Sequence, residues 1–134
     1  MSADNTVILV VEDNPDNMYV LDHLLTRSGY VVQQAVRGDE ALRAVEEHQP
    51  ALVLMDMQMP GMDGYTMVQQ LRQRPGFATL PVIAVTASSM PGDREAILAA
   101  GCTDYVAKPI NPRALLQLIA HYLQGGSRGE HPDR

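Results

Sequence analysis

The chain has 134 residues, a formal net charge of −6, and 46% hydrophobic against 19% charged residues. That balance fits one domain able to bury a core, and the acidic excess argues against a nucleic-acid binder, which needs clustered Lys and Arg. A single cysteine, Cys102, excludes an intrachain disulfide and a cysteine metal cluster, and it reads as a buried, inert thiol.

The apolar runs are strand-sized, well short of a bilayer span. The opening MSADNT lacks the basic and apolar regions of a signal peptide, so a cytoplasmic location without membrane contact is expected. Basic charge is carried by nine arginines and one lysine, Lys108. A compact ammonium is not interchangeable with a planar guanidinium fork, which draws attention to that one position.

Residues 1–6 read as an N-terminal extension. TVILVVED (6–13) is a β-branched apolar run ending in two acids, the pattern of a strand. Asn14 is placed to cap the helix that follows, with Pro15 at its first position and Gly29 past its end. Met18, Leu21, Leu24, Leu25 and Ser28 share one face of it. YVVQQAV (30–36) predicts a second strand of weaker pattern, and GDEALRAVEEHQ (38–49) a second helix with Ala41, Leu42 and Val45 inward. ALVLM (51–55) is apolar throughout, as a strand covered on both faces requires. Asp63 caps a third helix through Met67, Val68 and Leu71, stopping near Pro75–Gly76. LPVIAVTA (80–87) is a fourth strand, and Asp93–Ala100 a short helix ended by Gly101. DYVAKPI (104–110) is the fifth strand, and Asn111–Pro112 opens a last helix with Leu115, Leu118 and Ile119 on its face. Residues 124–134 form a Gly-rich polar tail expected to be flexible.

Five strand–helix pairs in alternation predict an α/β fold: a doubly wound parallel sheet with helices on both faces. Ligands of such sheets bind beyond the carboxyl ends of the strands, where strand order reverses. The residues at those ends are Glu12 and Asp13, then Asp56, Thr86, and Lys108 followed by Pro109. In the flavodoxin-like order 2-1-3-4-5 the first and third strands are neighbours, so three carboxylates share one pocket. Crowded carboxylates raise one another's pKa or recruit a cation, and an all-oxygen set suits Mg2+. The formal charges of three carboxylates, a divalent cation and the Lys108 ammonium cancel. A phosphoryl group could then be met by cation, ammonium, the Thr86 hydroxyl and a backbone N–H, with Asp56 as the attacking nucleophile.

Four segments, VEDN (11–14), LMDMQMPGMDGY (54–65), VTA (85–87) and AKPI (107–110), resemble the receiver domain of two-component response regulators. The resemblance runs from Val7 to Leu123 and implies a flavodoxin-like (βα)5 fold. It implies that Asp56 is the phosphoacceptor, that Asp13 holds Mg2+ directly and Glu12 through water, and that the Gln58 backbone carbonyl completes the protein ligands. Thr86 and Lys108 would bind phosphoryl oxygens, and the Lys108–Pro109 bond would be cis. Thr86 and Tyr105 would act as the switch, changing the partners of the face formed by fourth helix, fifth strand and fifth helix. The implied donor is a histidine kinase or a histidine phosphotransfer protein, and the output a protein contact rather than nucleic acid. With only a short polar segment after Leu123, a stand-alone receiver serving a phosphorelay or allosteric control is expected.

Each of these residues alone has an ordinary explanation. Strand-terminal acids are common, acids at helix entries are favoured by the helix dipole, and a threonine in a turn or a solvated lysine is unremarkable. Their joint placement at four strand ends is not so easily produced. Met55, Met57, Met59 and Met62 have no Cys or His beside them and read as core and loop filler, not a soft-metal site. Two alternatives stay open: a Mg2+-dependent phosphatase with an aspartyl nucleophile, and a pseudo-receiver that only binds partners. The phosphatase would want a second acid two residues after Asp56, where Gln58 stands.

Overall fold

The computed structural model describes residues 5–59, 63–87 and 91–125. The chain alternates β1 (Val7–Val11), α1 (Pro15–Arg27), β2 (Val31–Ala35), α2 (Gly38–His48), β3 (Leu52–Asp56), α3 (Gly64–Gln73), β4 (Val82–Thr86), α4 (Pro91–Ala100), β5 (Asp104–Ala107) and α5 (Pro112–Leu123). The strands pair in parallel in the order β2-β1-β3-β4-β5. This is the expected flavodoxin-like sheet, with its reversal of order between β1 and β3.

The continuous apolar strands have a direct structural reason. Leu9, Val11, Val53, Met55, Val82 and Ala84 join the core formed with Ala41 and Val45 of α2, Met67, Val68 and Leu71 of α3, and Ile97 of α4. Their neighbours in the pleat, Ile8, Val10, Leu52, Leu54 and Ile83, join the core under Met18, Leu21 and Leu25 of α1 and Leu115, Leu118 and Ile119 of α5. Successive side chains leave opposite faces of a strand, so a sheet covered on both sides needs apolar residues at every place. β2 is an edge strand with exposed and half-buried positions, which accounts for its weaker pattern.

Helix entries follow local chemistry. Asn14 Oδ1 accepts the N–H of Asn17, Asn111 Oδ1 that of Ala114, and Asp63 Oδ1 that of Tyr65, each at 3.0 Å. Caps of this kind contribute about 1 kcal/mol each. No side chain caps α2 from Arg37; instead Glu40 Oε1 accepts the Val36 N–H at 2.9 Å.

Element ends differ slightly from expectation. β1 stops at Val11 and β5 at Ala107, so Glu12, Asp13 and Lys108 stand just beyond their strands, and α4 begins at Pro91 rather than Asp93. The Lys108–Pro109 bond is cis, as the resemblance implied. Met55, Met57 and Met59 are buried in the α2–α3–α4 core, while Met62, and the tail from residue 126 on, lie outside the described residues. Gly64 packs closely on Met57: a Cβ there would lie 2.9 Å from its Sδ and 3.2 Å from its Cα, so Met57 would have to shift to admit one.

Arg72 of α3 ties the far end of the sheet together. Its Nε donates to the Gly101 carbonyl at 2.9 Å and its Nη1 to that of Phe77 at 3.0 Å, with a further bond to the Leu80 carbonyl. Gly101 has φ +118°, and a Cβ on it would lie 3.0 Å from Arg72 Cγ, so the turn admits glycine on both counts. Arg72→Ala strands these acceptors and is expected to cost roughly 3 kcal/mol, read as a lower urea midpoint with unchanged site chemistry.

Candidate functional site

The register brings the acids together before any loop is considered. Val11 pairs with Met55 across β1 and β3, so one step further Glu12 stands opposite Asp56. Both continue the pleat of Val10 and Leu54, towards the side covered by α1 and α5. Asp13 follows in the turn into α1. One carboxylate oxygen from each of Glu12, Asp13 and Asp56 lies within 4.8 Å of the others. Glu12 and Asp56 are buried and Asp13 is exposed, so the cluster opens to solvent on one side.

Lys108 closes the opposite side. Its N–H donates to the Thr86 carbonyl at 2.8 Å, which anchors the residue at the end of β4. Its Nζ stands 3.3 Å from Asp56 Oδ2. The other Asp56 oxygen, Oδ1, accepts the Gln58 N–H at 2.9 Å. Thr86 is buried as the last residue of β4, and β3–β4 pairing sets Asp56 beside Val85. The structure thus brings Glu12, Asp13, Asp56, Gln58, Thr86 and Lys108 to one end of the sheet. Tyr105 sits further down β5, opposite Ala84, half-buried against the α2–α3–α4 core.

Crowding leaves an electrostatic signature on Glu12. Burial pushes its carboxyl up from 4.5 to about 7, and the Asp56 charge and a hydrogen bond with Asp56 push the same way. The Asn14 N–H, donated to Glu12 Oε2 at 3.0 Å, and the Lys108 charge oppose the rise without cancelling it. The cluster is short of positive charge, and its donors are hard oxygens. Both features fit Mg2+.

The family profile described as response regulator receiver domain matches residues 8–120. The chain belongs to the response regulator receiver family. Among its relatives is the polar-differentiation response regulator DivK of Brucella anthropi, 40% identical over 116 residues that span 87% of this chain and 94% of DivK. The receiver domain of the sensor histidine kinase PA1611 from Pseudomonas aeruginosa, solved with a magnesium ion coordinated in its active-site cleft, is 36% identical. It superposes with a TM-score of 0.83 over 90% of this chain and 99% of that one. The chemotaxis response regulator CheY4 of Vibrio cholerae, 27% identical, superposes at 0.82 over 87% and 98%. No helix among the described residues of this receiver is long and apolar enough to cross a membrane.

Two features of this receiver escaped the sequence. The Gln58 side chain accepts the Ala87 N–H at 2.8 Å, bridging the loops after β3 and β4. Beside the acids, a cavity of about 240 Å³ runs between α1 and the start of α5, lined by Val20, Leu24, Pro109, Ile110 and Pro112 and reaching Glu12 and Lys108. Val20 is 59% exposed there, and Tyr19, 70% exposed, lines a neighbouring cavity that shares Val20, Leu24 and Pro112. A signal for the second feature was present: Val20 lies off the Met18–Leu21–Leu25 face yet is apolar.

Proposed function

We propose that this receiver accepts a phosphoryl group from a phosphohistidine donor onto Asp56 and thereby changes its protein contacts. An Asp56 carboxylate oxygen attacks phosphorus; the P–N bond breaks, its electron pair returns to the donor imidazole, and an acyl phosphate forms. Glu12, Asp13, Asp56 and the Gln58 main-chain carbonyl would hold Mg2+. Bound there, the ion would neutralise charge gathering on the phosphoryl oxygens. The Lys108 ammonium and the Thr86 hydroxyl would take the remaining oxygens, so catalysis is positioning and charge stabilisation. Thr86 drawn toward the phosphoryl group would let Tyr105 turn, altering the face of α4, β5 and α5.

The observation that carries this reading is the gathering of three carboxylates within 4.8 Å with Lys108 Nζ 3.3 Å from Asp56. The test is incubation with acetyl phosphate and Mg2+ followed by intact mass. A stoichiometric phosphoryl adduct is expected. Unchanged mass in a folded, Mg2+-binding protein would point to a pseudo-receiver, and continuous phosphate release from monoesters to a phosphatase.

A protein donor, a histidine kinase or phosphotransfer protein, must cover the site mouth to deliver its imidazole, whereas acetyl phosphate need not. Val20, a large apolar side chain left exposed, lines the cavity that reaches Glu12 and Lys108 beside that mouth. A charge placed there would be desolvated by a docking helix at a cost above 1 kcal/mol. Val20→Glu is expected to lower kcat/KM for transfer from a phosphohistidine protein at least about fivefold while acetyl phosphate labelling is unchanged. Stopped-flow or quenched transfer assays would read the difference.

A further inference from the structure

We propose that the Gln58 side chain is a positioning latch that holds the site in its unphosphorylated form and must let go when Asp56 is modified. The inference rests on the reading of Asp56 as the acceptor and adds a competitor for one of the donors that acceptor needs.

The ladder between β3 and β4 ends with the Met57 N–H donating to the Val85 carbonyl at 3.0 Å. The next N–H beyond Thr86, that of Ala87, bonds to Gln58 Oε1 at 2.8 Å. Gln58 therefore makes two contacts at the mouth, one local and one across to the loop after β4. Its main-chain N–H holds Asp56 Oδ1 at 2.9 Å, and its side chain holds the first residue after Thr86. Both loops beside the reactive oxygen are joined through one residue.

Gln58 and Ala87 are exposed, so this bond competes with water and is easily exchanged. The amide oxygen of Gln58 is a neutral acceptor. A phosphoryl group on Asp56 would add charged oxygens beside Thr86, and N–H bonds to such acceptors are about twice as strong as neutral ones. The Ala87 N–H would then pass from Gln58 to a phosphoryl oxygen. Releasing the neutral bond opposes phosphorylation by about two- to tenfold in equilibrium. The freed side chain changes the surface next to the site in step with modification.

The test uses Mg2+ with beryllium trifluoride, which binds a carboxylate as a phosphoryl stand-in and removes hydrolysis from the measurement. In Gln58→Leu, which keeps the bulk and loses the acceptor, the Ala87 amide should exchange with solvent several-fold faster before beryllium trifluoride is added. Its affinity for beryllium trifluoride should be about two- to tenfold higher than that of the unaltered protein. At saturation the Ala87 exchange rates of the two should coincide. Gln58→Glu, which keeps an acceptor at the same reach, should restore slow exchange at rest. Equal affinities, or equal resting exchange at Ala87, would overturn the latch. If neither protein binds beryllium trifluoride, the acceptor reading falls and takes the latch's role with it. Resting exchange at Ala87 still reports whether the contact itself exists.

Discussion

Asp56→Asn will take up no phosphoryl group, from acetyl phosphate or from a phosphohistidine protein, and it will remain folded. The carboxamide has nearly the shape of the carboxylate but no oxygen able to form a stable acyl phosphate. The loss should be complete in an intact-mass assay rather than a matter of degree. The fold should survive because the contacts of Asp56 are replaceable. An amide oxygen can still accept the Gln58 N–H now held at 2.9 Å. The ion pair with Lys108 is lost, but that ammonium is partly exposed and returns to water. Against this loss stands a gain: the like charge beside buried Glu12 disappears, and with it part of the rise in the Glu12 pKa. These effects oppose each other, so stability should move by no more than about 1 kcal/mol. Thermal melting alongside the mass measurement separates loss of chemistry from loss of structure. A phosphoryl adduct persisting in the variant would move the acceptor to another residue. It would also leave the convergence of Lys108 and three acids unexplained.

The parts of this protein written in periodicity were legible in the sequence, and the parts written in single contacts were not. Unbroken apolar runs such as 52–55 and 82–85 are forced by a sheet covered on both faces, and the two core clusters contain the residues expected of them. Asn14, Asp63 and Asn111 cap because a short side chain before a helix reaches an unpaired N–H whatever surrounds it. Glu12, Asp13, Asp56, Thr86 and Lys108 were placed together by counting strand ends, and parallel pairing carries that count directly into space. Strand ends were overrun at β1 and β5, where Glu12, Asp13 and Lys108 leave the ladder to turn into the next element. The bonds from Ala87 to Gln58 and from Arg72 to the Gly101 carbonyl join segments far apart in the chain. No local pattern encodes such meetings. Gln58 is a case of half-legibility: the family resemblance marked its main chain, yet only the folded chain reveals where its amide goes.

Mg2+ binding should expel a proton from this receiver, and the effect should vanish above neutral pH. Without metal, the Glu12 carboxyl lies at about 7 against 4.5 for a free one, chiefly because it is buried and then because Asp56 stands beside it. Between those values the folded protein holds a proton that the unfolded chain has lost. Stability of the metal-free protein therefore falls as pH rises through that window. A divalent cation reverses the preference, because it favours the charged carboxylate that burial penalises. Each ion bound below about pH 7 must displace up to one proton, and the apparent affinity should drop by up to about tenfold per pH unit on further acidification. Calorimetric titration with Mg2+ in two buffers of different ionisation enthalpy, at about pH 6 and about pH 8, reads the proton count directly. Release approaching one proton at the lower pH and near zero at the higher is expected. Glu12→Gln should show none at either, with weaker binding at the higher pH because one carboxylate is gone. Proton release that is the same at both pH values, or that persists in Glu12→Gln, would place the titrating group elsewhere and detach Glu12 from the metal. In the expected case, the same crowding that costs the empty site stability gives it a cation-dependent charge state near neutrality, with Asp56 and Lys108 left in place to meet a phosphoryl group.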